Sequence, residues 1–150
     1  MLNQHFCWTS FVVILLVSTL VPSGRVQAVE TIPRSALQTL AEEGDANAQW
    51  MMGQSFLNSG AGRDDAAEAF RWFHRAADQG HPLAQRDLGT LYELGRGVAQ
   101  NLQEAFFWYS LASQQDSGRA RMHREALTSS LSTGEQDAVM ARIRTWRPTR

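Results

Sequence analysis

The sequence predicts an all-α chain: an α-solenoid of antiparallel helix pairs closed at both ends by helical caps. Two observations carry that prediction. Residues 44–79 and 80–115 align without a gap at an offset of 36, with ten identical positions, and a fixed period of about 20–50 residues is the signature of stacked supersecondary units. Within each unit the apolar residues recur three and four apart, the spacing of one helix face, rather than alternating as in a strand. A chain of 150 residues that is 43% hydrophobic and 19% charged holds enough apolar side chains for a core, which excludes extended disorder.

At the N-terminus, Phe11 to Val21 form an apolar run shorter than the roughly 20 residues a spanning helix needs. Pro22, Ser23 and Gly24 follow, then Val26-Gln27-Ala28, with compact residues three and one before a cleavage point. This predicts a signal peptide over 1–28, cut after Ala28, and a periplasmic or secreted product of a bacterial cell. The residues ahead of the run carry no Lys or Arg, so the alternative is an uncleaved segment anchoring the chain to the inner membrane. The one cysteine, Cys7, lies in this leader, which leaves the rest of the chain without a disulfide, thiolate ligand or cysteine nucleophile.

Residues 29–43 read as an N-terminal capping helix on Leu37, Leu40 and Ala41. In the two repeats the first helix presents Ala48, Met52 and Phe56, or Ala84, Leu88 and Tyr92, at a spacing of four. Gly53 and Gly89 sit inside those helices, where Gly costs about 1 kcal/mol relative to Ala, so they predict a neighbouring helix in close approach. The second helices open on Asp65-Ala66-Ala67-Glu68 and Asn101-Leu102-Gln103-Glu104, both read as capping boxes. They continue with Ala69, Trp72, Phe73 and Ala76, or Ala105, Trp108, Tyr109 and Ala112, an amphipathic stripe with one large aromatic step. Gly95-Arg96-Gly97-Val98 makes the turn of the second unit, and Ser59-Gly60-Ala61-Gly62 predicts a looser one in the first. Gly80 stops a helix and His81-Pro82 opens the next.

Residues 116–150 read as a C-terminal capping helical hairpin and tail. Ser117 is its expected cap and Ala120 keeps the register of Ala48 and Ala84, but Glu125 and Thr128 stand at the Gly and aromatic positions. Ser132-Thr133-Gly134-Glu135 offers another capping box, and Val139, Ile143 and Trp146 form a stripe ended by Pro148.

Ala84, Gln85, Leu88, Gly89 and Tyr92 spell A-Q-x-x-L-G-x-x-Y. Gly95, Gly97 and Val98 spell G-x-G-V, and Ala105, Trp108, Tyr109 and Ala112 spell A-x-x-W-Y-x-x-A. On these motifs residues 44–115 resemble the Sel-one-like repeat family, relatives of the tetratricopeptide repeats; Met52 in place of leucine and the altered first turn depart from the pattern. The resemblance implies a non-enzymatic adaptor or regulator in the bacterial envelope, binding a protein or peptide where first helices line a concave groove. On that face lie Asn47, Trp50, Gln54 and Asn58 and, one period on, Leu83, Arg86, Thr90 and Leu94, with Glu93 near the rim. Trp50 is matched by Arg86, so repeat packing does not demand an aromatic there. It is either a hot spot beside Arg86 or a residue packed on the N-terminal cap helix. An envelope carbohydrate or peptidoglycan module is the alternative, with Trp50 stacking a sugar and Gln54, Asn58 and Arg86 as hydrogen-bonding groups.

The remaining chemistry is thin. A net charge of -1, from fourteen Arg and no Lys against fifteen acids, gives no phosphate-neutralising surface and so no nucleic-acid partner. It also removes lysine-dependent catalysis. The charges are unevenly spread, six Arg against twelve acids over 29–116 and seven Arg against three acids over 117–150. His74, His81 and His123 fit surface or capping positions, and Glu42/Glu43 and Asp64/Asp65 fit helix ends. No catalytic residue, metal site or cofactor is expected. Some cysteine-rich relatives have been assigned penicillin binding or hydrolysis, but their cysteine pairs are missing here and no Ser has a Lys partner, so a β-lactamase-like enzyme is the remotest alternative.

Overall fold

The computed structural model describes residues 32–59, 62–115 and 118–149. The signal-peptide reading of 1–28 and the Ser117 cap lie outside these residues, as does the middle of the first-repeat turn. The described unit, from Ile32 onward, contains only helices: α1 Arg34–Glu42, α2 Ala46–Asn58, α3 Arg63–Asp78, α4 Pro82–Leu94, α5 Leu102–Gln114, α6 Gly118–Thr128 and α7 Thr133–Thr145. None of the described helices is long and apolar enough to cross a membrane. Each helix packs on the next from α1 to α6, and α7 returns to α5. The chain is an all-α solenoid of antiparallel pairs, α2 with α3 and α4 with α5.

Two devices recur at the 36-residue period. Gly53 faces Phe73 and Gly89 faces Tyr109, and a Cβ on Gly89 would stand 2.9 Å from the Tyr109 ring, so glycine is what lets each pair close. The second device is a buried glutamine. Gln49 Nε2 donates to the Ala41 carbonyl at 3.0 Å, while its Oε1 accepts from Gln79 Nε2 at 2.8 Å. Gln85 repeats both bonds with Ala77, at 3.2 Å, and Gln115, at 3.1 Å. Each glutamine ties the first helix of its repeat to the end of the preceding helix and to the end of its own partner. Two otherwise costly polar groups thereby become cross-links.

Helix starts depart from the expected boxes. α3 begins at Arg63, with Gly62 as a cap that offers no side chain, and the Asp65 carboxylate instead lies 3.3 Å from Ser59 Oγ. Asp64 and Asp65 then serve the first turn through the helix dipole. Asn101 does cap α5, accepting from Gln103 and Glu104 N–H at 3.1 Å. The Glu104 carboxylate does not return to it, because both its oxygens are taken by Arg142 of α7 at 2.6 and 3.2 Å. Of the three expected boxes, the complete one among the described residues is Ser132–Glu135.

At the C-terminal end α6 and α7 each lean mainly on α5, and Gln136 of α7 reaches the Thr128 carbonyl at the end of α6 at 2.9 Å. The reason is in the register. The positions that nest as Gly53 with Phe73 and Gly89 with Tyr109 become Glu125 and Thr145, and Glu125 keeps its carboxylate in solvent, 62% exposed. α6 buries Ala120 and Leu127, and α7 buries Val139 and Ile143, in the same cluster as α5. Trp146 lies just past the last turn as its cap, half-buried, so the expected stripe ends on the tail.

Candidate partner-binding face

The first helices of successive units, α2, α4 and α6, carry the residues of this face at equivalent positions, and side chains bridge α2 to α4. Asp87 is the hub. Its carboxylate, 13% exposed, accepts from Trp50 Nε1 at 2.8 Å and Gln54 Nε2 at 2.7 Å across the gap. Beside it, Arg86 donates through Nε at 2.8 Å and Nη2 at 2.6 Å. The Trp50 ring lies against the His81 imidazole, 5.6 Å between centroids and 23° from parallel. His81 is the N-cap of α4: its Nδ1 accepts from Ala84 N–H at 3.1 Å, which leaves the proton on Nε2, 2.9 Å from Asn47 Oδ1. Burial pushes the His81 pKa below its ordinary value, in the direction the cap requires.

A second network joins α4 to α6. Tyr109 OH sits 3.0 Å from Thr90 Oγ1 and donates to Glu93 Oε2 at 2.6 Å. His123 Nδ1 lies 3.2 Å from the same carboxylate oxygen, and its ring stacks on Tyr109 at 4.9 Å. Burial first, and then the bond to Glu93, raise the Tyr109 pKa far above the phenol's ordinary value.

The structure therefore gathers Asn47, Trp50, Gln54 and Arg86 into one bridge through Asp87 and His81. Thr90 and Glu93 join a separate one that includes Tyr109. Asn58, exposed, Leu83, half-buried, and Leu94, 57% exposed, stand outside both. Trp50 meets α4 and stands in one bridge with Arg86, joined to it through Asp87. Sequence reasoning missed Asp87 and His123, together with Met51 and Met122, which are 38% and 68% exposed. Asp87 and His123 occupy one repeat position, which reads Met51 in the first unit, and a bond reaching across repeats leaves no trace in a comparison that looks for sameness.

Chemically, this face offers exposed methionine and leucine around a rigid polar strip. The Asp87 carboxylate is saturated by four donors and so is not a free base. Among the described residues no three His, Cys, Asp or Glu side chains converge to hold a metal ion.

Residues 46–81 and 82–117 match the Sel1 repeat, the same 36-residue period framed two residues later than Gly44 and Gly80. The crystal structure of a Sel1 repeat protein from Oxalobacter formigenes is 34% identical, covering 61% of this chain and 69% of its own, with a TM-score of 0.57. The chain belongs to the Sel1 repeat family. This Sel1 repeat protein shares its fold with a protective antigen of uropathogenic Escherichia coli that displays an SLR fold. There the TM-score is 0.69 over 75% of this chain and 24% of that one, at 24% identity. Two relatives are named as regulators. The chitin synthase regulator SKT5 of Saccharomyces cerevisiae is 45% identical over 56 residues, 37% of this chain. The exopolysaccharide production negative regulator of Rhizobium meliloti is 38% identical over 76 residues, 51% of this chain. The chain spans only 8% and 27% of their lengths. A Sel1 repeat protein with relatives of this kind is consistent with a protein-interaction role.

Proposed function

We propose that this Sel1 repeat protein is an exported, non-enzymatic adaptor or regulator of the bacterial cell envelope, holding a protein or peptide segment in the concave groove lined by α2, α4 and α6. The observation that carries the reading is the Trp50–Asp87–Arg86 bridge, which fixes that face before any partner arrives while Met51 and Met122 stay exposed on it. Pre-organised side chains lose less entropy on binding, and exposed methionines adapt to an apolar partner. The two relatives named as regulators support regulation over turnover. A protein partner fits better than a sugar, because one face of the Trp50 indole is against His81 and its N–H is spent on Asp87. Export is supported by the apolar run and the Val26-Gln27-Ala28 site.

Affinity capture from an envelope extract with the full chain, beside Met51→Glu/Met122→Glu, tests the face. The wild type recovers a protein that the double variant loses at unchanged melting temperature, and equal recovery by both removes the reading. N-terminal sequencing of the product tests export. A start at Val29 in the periplasm or medium is expected, and an intact Met1 in the cytoplasm overturns it.

A further inference from the structure

The C-terminal tail shows what the turn edge of the stack can hold. Past α7 the backbone at Trp146 is extended, at φ -63° and ψ 140°, and the tail crosses the turn between α3 and α4. There Thr149 N–H donates to the Asp78 carbonyl at 2.8 Å. Pro148 and Trp146 cover Gly80, whose φ is 88°, with Pro148 Cβ 3.4 Å from where a Cβ on that glycine would stand. Helix C-termini present unsatisfied carbonyls and the negative end of the dipole, so an extended segment with N–H groups and cations suits this edge.

The 36-residue period places an equivalent seat one repeat earlier. Gly80 maps to Gly44, Gln79 to Glu43 and Asp78 to Glu42. Gly44 has φ 104°, and no described atom lies within 4 Å of its would-be Cβ. Among the described residues the Glu42 carbonyl accepts nothing from another element. A cavity of about 430 Å³ opens here between Glu43, Asp78 and Gln79, with Thr149 and Arg75 on its wall. Arg75 is drawn over the Trp72 ring at 4.8 Å, and the Gln49 and Gln79 carboxamides are spent on each other. The Asp78 carboxylate is held by His74 at 2.9 Å. Among the described residues, the uncommitted groups are the exposed Glu43 carboxylate, where the Gly80 seat has a neutral glutamine, and the Glu42 carbonyl.

We propose that the Gly44 seat binds an extended, arginine-bearing peptide segment of a partner protein. The segment's N–H donates to the Glu42 carbonyl as Thr149 does to Asp78, and its guanidinium meets Glu43. This inference does not depend on the α2/α4/α6 face. The probe is an acetylated peptide of the tail's own sequence, residues 145–150, titrated into the full isotope-labelled chain while backbone amide shifts are followed. Saturable shifts at Glu43 and Gly44 are expected. Glu43→Arg weakens them by about tenfold, while Asp137→Arg, the same charge change on α7, leaves them unaltered. Absence of saturation, equal affinity for Glu43→Arg, or shifts confined to Gly80 and Gln115 overturns the proposal, the last because the peptide would only be replacing the chain's own tail. Shifts centred on Trp50 and Arg86 overturn it as well, and would point to the other face.

Discussion

Asp87 ties together more of the α2/α4 face than any residue shared by both repeats, and its loss should be felt at two helices. In Asp87→Ala, Trp50 Nε1 and Gln54 Nε2 lose a half-buried acceptor, a cost of about 1–3 kcal/mol. Denaturant melts of the variant should show that loss, and a midpoint unchanged from wild type would mean water replaces the carboxylate fully. His81 predicts a pH dependence. Its pKa is depressed in the fold, so the native state disfavours the proton that the unfolded chain accepts near 6.5. The stability it confers is complete above that value and declines as pH falls below it, since a protonated Nδ1 can no longer cap α4. His81→Asn keeps a cap acceptor without the titration, so its melting temperature should fall less than the wild type's between pH 7.5 and pH 5.5. Gln49 and Gln85 show how far single residues could be read. Their identity across the repeats was visible, but their role depends on carbonyls of Ala41 and Ala77 that belong to the preceding unit.

Helices follow local rules more closely, and the glycine positions show it. A glycine inside an apolar stripe demanded a close neighbour, and Tyr109 lies against Gly89 as that demand requires. In Gly89→Ala the new methyl must displace the Tyr109 ring, whose hydroxyl is held by Thr90 and Glu93. Overpacking should outweigh the propensity gain of alanine, with a net loss of about 1–3 kcal/mol. A variant as stable as wild type in thermal melts would show that the ring can yield. Helix boundaries were less legible. Asp65 and Glu68 have the composition of a capping box, yet α3 starts three residues earlier, capped at Gly62, and Glu104 has a stronger claimant in Arg142. A capping pattern states what a helix start can use locally, and tertiary charge pairing then decides whether it is used.

For the described unit as a whole, stability is a chain of neighbouring interfaces, and the last of them is different in kind. Without a Gly–aromatic nest between α6 and α7, the end of the stack depends on what α7 makes with α5: Val139 and Ile143 buried, and Arg142 paired with Glu104 while lying 4.3 Å over the Phe107 ring. The loss of register at Glu125 was readable from the sequence. The route α7 takes was not, because no repeat position specifies it. The two kinds of contact should not count equally. Arg142 is 50% exposed, so solvent screens its ion pair, and Arg142→Ala should cost about 0.2–1 kcal/mol with some lost packing on Phe107. Ile143 is 8% exposed, and Ile143→Ala should cost about 2–5 kcal/mol. Because stacked repeats share energy mainly with their neighbours, the Ile143 loss should appear as faster amide hydrogen exchange in α7 and α6, with α2 and α3 close to wild type. Uniform acceleration across all helices would mean that the unit melts as a single body and that α7 is integral to it rather than a docked end.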